Sequence, residues 1–471
     1  MPKLLNLSVA IAITFTTTIP VRADSFSRLI LVIVVDTLRA DHLRSYGYGR
    51  DTTPELDRIW RSGSTLYTQS YSAAAFTQPS VSSILTGLRP ASHGYYGFQR
   101  DGLPKLPVSI PQYLHSKGYY TALANANPNT PWTFPAFDVV WSDQMPKSYY
   151  PSARVIAEAR KQVAAAKDRD LFLYLQLTDT HMPYDPPVYD PAFFVGDPIG
   201  KHFQPQFDGI RVDHVKEITP PVLRNMINRY DAALHYLDSQ LAPFIEELRR
   251  QFSEHLIIFT ADHGEAFLEH GEAGHGSAMY NTEIRVPLII IDSTHPRTGL
   301  LTSGALANGV DLFPTIIERL GDDPSKYHLT GRSILWTLTS TAPRNESRMA
   351  LSESPYFNDD RYTGFGRCWG MAYFHQPNWG EERGTVVKLS SVGPNCASLR
   401  SSVAHHDQWF DLVKDRQENS RLRPRQARAS LLNPQFVQAW SPPPIMGVKT
   451  SPLSPEEIEK LKALGYLNTG Q

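Results

Sequence analysis

Residues 29–36 read Leu-Ile-Leu-Val-Ile-Val-Val-Asp, seven apolar and mostly β-branched side chains that end on a carboxylate. No polar residue alternates with them. Such a strand is buried on both faces, as in a parallel sheet covered by helices. The same character returns at 171–177 (LFLYLQL), 256–260 (LIIFT) and 287–291 (PLIII). Helical patterns lie between, at 54–62, 80–88, 110–117, 154–166 and 222–250. Buried strands alternating with helices predict an α/β fold, a large, mostly parallel sheet sandwiched by helices. The body extends over residues 26–338, and a polar stretch at 339–347 marks its boundary. Beyond it, MALSES, WGMAYF, TVVKLSS and QWFDLV are short strand candidates without long helices between them. They predict a small antiparallel C-terminal domain over 348–471.

The two ends of the chain carry local signals of their own. Residues 1–23, MPKLLNLSVAIAITFTTTIPVRA, place Lys3 before an apolar run and Val21-Arg22-Ala23 at a cleavage position. This is the pattern of a secretory signal peptide, and an uncleaved membrane anchor is the alternative. The apolar run is short for a span of about 20 residues. After cleavage no stable membrane span is expected, and the mature chain belongs in a periplasm or outside the cell. At the other end, Ser454-Pro455-Glu456-Glu457 is a capping box with proline at the first helical position. Ile458, Leu461 and Leu464 form one stripe, so a terminal helix is expected to dock there.

Composition excludes several classes. The 471 residues are 41% hydrophobic and include 21 Phe, 22 Tyr and 8 Trp, which demand a core and rule out a disordered chain. Lys plus Arg is 46 against 47 Asp plus Glu, so the basic footprint of a nucleic-acid binder is missing. Cys368 and Cys396 are too few for a disulfide scaffold or a cysteine-rich zinc protein. They either pair, in a compartment that tolerates disulfides, or stand as two buried thiols.

The strand ends carry the chemistry. The first strand runs into Asp36, the 171–177 strand into Thr178-Asp179-Thr180-His181, and the 256–260 strand into Ala261-Asp262-His263-Gly264-Glu265. Gly274-His275-Gly276 follows. In a parallel sheet these C-terminal ends share one edge, where ligands bind. Two acids and three histidines gathered there point to one divalent metal ion, with zinc, manganese, magnesium and calcium all compatible. Taken singly, Asp36 and Asp262 would each read as a helix cap. Thr77 opens a helix near Pro79, and read alone it is an N-cap. His93 reads as structural, and Tyr230, Asp231 and Asp238 read as packing or solvated residues of one helix.

Beyond these local readings, VVDTLRADHLRSYGYGRDTTPELD (34–57), TQPSVSSILTG (77–87), HMPYDPP (181–187), TADHGEAFLEHG (260–271), GHGSAMYNTEIRVPLII (274–290), TGRSIL (330–335) and LSPEEIEKLKALGYL (453–467) resemble the sulfatase family, within the alkaline phosphatase superfamily. The resemblance covers nearly all of the mature chain. It implies a large α/β domain with a small antiparallel C-terminal domain. It also implies that Asp36, Asp262 and His263 are metal ligands, that His181 and His275 contact the transferred group, and that Thr77 occupies the nucleophile and remaining metal position. Glu265 and Glu269 are expected to orient His263 or His275.

The chain also departs from the family pattern. Most sulfatases have at the nucleophile position a cysteine or serine that is oxidised to formylglycine, and threonine is no substrate for that oxidation. Thr37 replaces a second aspartate, Val81 an arginine, and Ala124-Asn125-Ala126-Asn127 a Gly-Lys-Trp-His segment. Arg39 is therefore expected to supply substrate charge alongside the histidines. Asn125 is expected on the substrate side and Asn127 is a candidate there too, although loop turns account for both equally well.

The leading expectation is a metal-dependent ester hydrolase that cleaves a phosphate mono- or diester through a covalent Thr77 intermediate. A sulfuric-ester hydrolase working without formylglycine is the second, and a catalytically silent binding protein the third. The substrate expected is a small-molecule, glycan or lipid-headgroup ester, and not nucleic acid.

Overall fold

The computed structural model describes residues 27–95, 108–127, 130–142, 150–196, 218–271, 273–276, 279–339, 348–355, 367–376, 385–392, 408–411, 415 and 417–420. The expected signal peptide, the polar boundary from residue 340 on, Cys396 and the expected terminal helix lie outside them.

Fourteen strands occur among these residues. They are β1 (Arg28–Val35), β2 (Ser64–Tyr71), β3 (Tyr120–Asn125), β4 (Val139–Ser142), β5 (Leu171–Leu177), β6 (Glu254–Ala261), β7 (Ala266–Phe267), β8 (Ala273–Gly274), β9 (Leu288–Asp292), β10 (Leu300–Asn308), β11 (Arg348–Pro355), β12 (Arg367–Gln376), β13 (Thr385–Val392) and β14 (Gln408–Asp411). Eight build one sheet in the order β10-β2-β9-β6-β1-β5-β3-β4. All its pairings are parallel except those of β9, which runs antiparallel to both β2 and β6. The expected strand at 287–291 therefore exists but runs against its neighbours. Between β6 and β9 the chain passes through the β7–β8 hairpin and the short helix Asn281–Ile284, and among the described residues no long crossover helix carries it back to the other end of the sheet.

The unbroken apolar run of β1 explains its central place. Leu29, Leu31, Ile33 and Val35 join the core on one face, with helices Pro54–Ser62, Ser152–Ala166 and Pro220–Gln251. Ile30, Val32 and Val34 join the core on the other, with helices Thr77–Thr86, Ile110–Ser116 and Leu312–Arg319. Each such side chain stabilises the fold by about 1.5–3 kcal/mol through burial. A three-layer α/β sandwich follows directly from a strand that is apolar on both sides.

Register then places the chemistry. Val35 lies opposite both Leu177 of β5 and Ala261 of β6, so Asp36 and Asp262 emerge side by side at the same edge.

A second, antiparallel sheet has the order β11-β12-β13-β14. Its first strand docks on the large sheet through the chain just before Thr77. Glu353 N donates to Ala73 O at 2.7 Å, and Ser352 Oγ donates to Ser72 O. Among the described residues no helix is long and apolar enough to cross a membrane.

Three residues of the long helix are neither solvated nor simple packing. Asp238 is buried and caps helix Pro54–Ser62 from across the core, accepting Leu56 N at 2.7 Å and Glu55 N at 3.1 Å. Asp231 is buried and accepts from Tyr48 Oη and Arg50 Nη1, both at 2.7 Å, and pairs with His42 Nδ1 at 2.7 Å. Tyr230 bonds to the turn after Asp36, as described below.

His93 ties down the far end of the Thr77 helix. Its Nδ1 accepts Tyr95 N–H at 3.0 Å, so Nε2 carries the proton, 3.0 Å from Ser83 Oγ. Burial pushes this imidazole down from 6.5 to about 3. The unfolded chain therefore takes up a proton that the folded chain refuses. The stability contribution is present above pH 6.5 and is lost as pH falls toward 3. In urea unfolding, His93→Gln is expected to flatten the loss of stability between pH 6.5 and 4 relative to wild type. An unchanged slope would remove His93 from the acid sensitivity.

Candidate metal centre and active site

Asp36, Asp262 and His263 are fully buried and come together at the sheet edge, each offering an atom within 4.8 Å of the others. His263 Nδ1 faces Gly264 O at 3.0 Å, and a carbonyl only accepts, so Nδ1 carries the proton. Nε2 is left as a lone pair turned to the two acids. It lies 3.4 Å from Asp36 Oδ1 and 3.8 Å from Asp262 Oδ2. Asp36 Oδ1 is a buried oxygen without a hydrogen-bond partner. Burial, and then the Asp262 charge, raise the Asp36 carboxyl. Burial pushes Asp262 up to about 7, against the backbone N–H bonds that lower it. Burial, and then the neighbouring His275, push His263 down to about 3. Two carboxylate oxygens and the lone pair of a neutral imidazole converge there. That donor set, with its orphaned carboxylate oxygen, fits a divalent ion.

Thr77 is the first residue of helix Thr77–Thr86, and extended Phe76 occupies the N-cap. The N-cap reading of Thr77 is thus corrected. Its Oγ1 lies 3.1 Å from His263 Nε2, and because Nε2 is the acceptor the hydroxyl donates. Ser80, one turn on, donates to Asp262 O at 2.5 Å and fastens the helix start to the end of β6.

His275 and His181 complete a row of rings. The His263 and His275 centroids are 4.5 Å apart, and those of His275 and His181 are 5.1 Å apart. His275 Nδ1 donates to Glu265 Oε1 at 3.0 Å, and Tyr184 Oη donates to Glu265 Oε2 at 2.9 Å. Glu265 therefore orients His275, and burial holds its own carboxyl up at about 7. His181 Nδ1 donates to Met182 O at 2.8 Å. In both histidines Nδ1 is held by a neighbour.

Arg39 and Asn125 are spent elsewhere. The buried Arg39 guanidinium bonds both oxygens of Asp41, at 2.9 and 2.8 Å, along with Glu269 Oε1 and Glu265 O. It pins the β7–β8 hairpin, stacking 5.4 Å from the Phe267 ring. Asn125 donates to Thr130 Oγ1 and accepts Asn127 N, which closes its own loop. Glu269 pairs with Arg39 and accepts Phe267 N, so it orients the hairpin and not a histidine directly.

Two amides not assigned from sequence reach the acids instead. Asn127 Nδ2 donates to Asp36 Oδ2 at 2.6 Å, and Gln176 Nε2 donates to Asp262 Oδ2 at 3.4 Å. Gln176 carried a legible signal, as an amide in an otherwise buried apolar strand that must find a partner. Thr37, where the family places a second acid, turns its hydroxyl to the carbonyls of Asp36 and Thr180. Its φ of 59° is unusual for a β-branched residue and costs about 1–3 kcal/mol. Asp179 accepts Ser152 N and Ser152 Oγ at the start of helix Ser152–Ala166, which is a cap role.

The family model described as Sulfatase matches residues 28–321. The chain belongs to the sulfatase family. That family lies within the alkaline phosphatase superfamily of ester hydrolases, whose members bind a divalent metal. Human N-sulphoglucosamine sulphohydrolase is 26% identical to this sulfatase-family chain over 318 residues, 62% of each protein, so the match spans about three fifths of that relative. Phosphonate monoester hydrolase of Agrobacterium radiobacter superposes with a TM-score of 0.61 at 17% identity, over 88% of this chain and 95% of that one. A 2-O GAG sulfatase superposes with a TM-score of 0.65 at 14% identity, over 88% and 91%. These structures share the sulfatase fold with this chain.

Asp36→Asn removes one buried charge, and the new amide can donate to His263 Nε2. In chelator the variant is expected to melt several degrees above wild type, and added divalent ion is expected to raise only the wild type. Equal shifts with metal in both proteins would dismiss Asp36 as a ligand.

Proposed function

We propose that this chain is a metal-dependent hydrolase that cleaves a phosphate mono- or diester through a covalent intermediate on Thr77. The observation that carries the reading is the Thr77 hydroxyl, set at a helix start with its Oγ1 3.1 Å from His263 Nε2 and beside Asp36 and Asp262. Asp36, Asp262, His263 and Thr77 would hold one divalent ion. The chemistry such an ion supplies is stabilisation of a deprotonated hydroxyl and of charge on the transferred group's oxygens. Thr77 Oγ1 gives its proton to Nε2 of His275 or His181, whose Nδ1 protons are held by Glu265 and Met182 O, and attacks phosphorus as the bond to the leaving oxygen breaks. The same imidazole passes that proton to the leaving oxygen. Water then attacks phosphorus in line, the bond to Oγ1 breaks with a proton of that water returning to Oγ1, and phosphate leaves, or a phosphate monoester where the substrate is a diester. The helix starts at Thr77, and the positive end of a helix dipole favours an anion at this place.

Threonine favours phosphorus over sulfur. A hydrated formylglycine expels sulfate by C–O cleavage with its second hydroxyl. A threonine ester lacks that exit, whereas a phosphothreonine can be attacked again at phosphorus. The likeness to a phosphonate monoester hydrolase fold agrees with this reading. A sulfuric-ester hydrolase working without formylglycine is the second reading, supported by the similarity to N-sulphoglucosamine sulphohydrolase. The substrate is a small-molecule, glycan or lipid-headgroup ester. The first 23 residues support a periplasmic or secreted location.

The test compares an aryl phosphate diester with the matching aryl sulfate, with added divalent metal, for wild type and Thr77→Ala. Phosphate turnover is expected in wild type and a loss of at least a thousandfold in the variant. Sulfate turnover surviving in Thr77→Ala would overturn the phosphothreonine route and point to direct attack by water.

A further inference from the structure

Helix Pro220–Gln251 sends one polar atom into the turn that carries Asp36. Tyr230 Oη donates to Thr37 O at 2.8 Å and accepts Arg39 N at 2.9 Å, bridging the two sides of that turn. Thr37 between them holds φ 59°, and this places its N–H 3.3 Å from Asp262 Oδ1. The same residue is held from a third direction, where its Oγ1 donates to Thr180 O at 2.5 Å. One residue thus bonds to the second acid through its N–H while following directly on the first. Such a conformation persists only where the surroundings over-determine it. The Tyr230 ring is fixed edge-on against Tyr184 at 5.5 Å, Phe267 at 5.1 Å and His42 at 4.9 Å, so its hydroxyl has little freedom.

We infer that Tyr230 is a positioning residue of the metal centre, acting through Thr37 to hold the Asp36 and Asp262 carboxylates at ligand spacing. This rests on the reading of Asp36, Asp262 and His263 as ligands. Partners that orient ligands are commonly worth about 10–100-fold in metal affinity. Tyr230 acts one residue further out, so about tenfold is expected.

The test titrates the metal-free full chain with Co2+ and follows the visible absorption of the bound ion. Tyr230→Phe keeps the ring and is expected to bind Co2+ about tenfold more weakly, with a shifted spectrum. Glycine adopts φ 59° unaided and keeps both backbone groups, so Thr37→Gly is expected to bind nearly as wild type. In that background the Tyr230→Phe penalty is expected to shrink, a non-additivity that a loss of general packing would not produce. Tyr46→Phe loses a hydroxyl that bonds the backbone of Leu288 and belongs to neither the Thr37 turn nor the row of histidines, and is expected to leave Co2+ affinity unchanged. Should Tyr230→Phe fail to fold, Thr37→Val tests the same hold, since it keeps the branched side chain and loses the Thr180 bond. It is expected to weaken Co2+ binding where Thr37→Gly does not. Wild-type affinity in Tyr230→Phe, a penalty undiminished beside Thr37→Gly, or an equal loss in Tyr46→Phe would each overturn the inference. Wild type failing to bind Co2+, or Asp262→Asn binding it as well as wild type, would instead overturn the ligand reading and the inference with it.

Discussion

Asp36 and Asp262 stand side by side, fully buried, and much of the surrounding structure serves to keep them there. Parallel pairing of β1 with β6 brings Val35 opposite Ala261, so the next residue of each strand is an acid. Two buried like charges repel, and neither is stable without compensation. Asn127 gives one N–H to Asp36 Oδ2 and Gln176 one to Asp262 Oδ2, and the backbone of His263 and Thr37 gives two more to Asp262. These bonds leave Asp36 Oδ1 turned inward with no hydrogen-bond partner. The fold thus tolerates an electrostatic cost at one point, of the kind a divalent cation would relieve.

The second organising feature is the sequence of supports behind the histidines. Tyr184 holds Glu265, Glu265 holds His275, and Arg39 holds the hairpin on which His275 sits. Arg39 was expected to face a substrate because it is a cation close to Asp36 in the chain. Its neighbours Asp41 and Glu269 decide otherwise, since a buried guanidinium with two carboxylates in reach pairs with them. Charge type was legible from sequence, whereas the direction in which the charge points was not.

The same distinction runs through the rest of the fold. β1, β5 and β6 were readable because an unbroken apolar run has one sensible place, the middle of a covered sheet. β2 (STLYTQSY) was not, because Thr68 and Gln69 find their partners on β10 and Ser64 on the helix before it, and nothing local announces that. β9 was readable as a strand, but its direction depends on the connection before it. Asp262-His263 was legible as a strand end. Asn127, Gln176 and Tyr230 were not assigned, because their partners lie 86 to 193 residues away in the chain.

The docking of β11 has a consequence for how the molecule comes apart. The Ala73 carbonyl is satisfied by Glu353 N, and Ser72 O receives Ser352 Oγ and Asn308 Nδ2. Arg89, just beyond the helix that begins at Thr77, pairs with Glu353 at 3.2 Å. The segment leading to Thr77 is therefore stitched to a sheet that chain order places far behind it. A chain emerging from a ribosome would have Asp36, Asp262 and His263 in hand and still lack the backing of the segment before Thr77. Completion of the second sheet would then be the event that makes this edge of the large sheet whole, and the two sheets would behave as one cooperative unit.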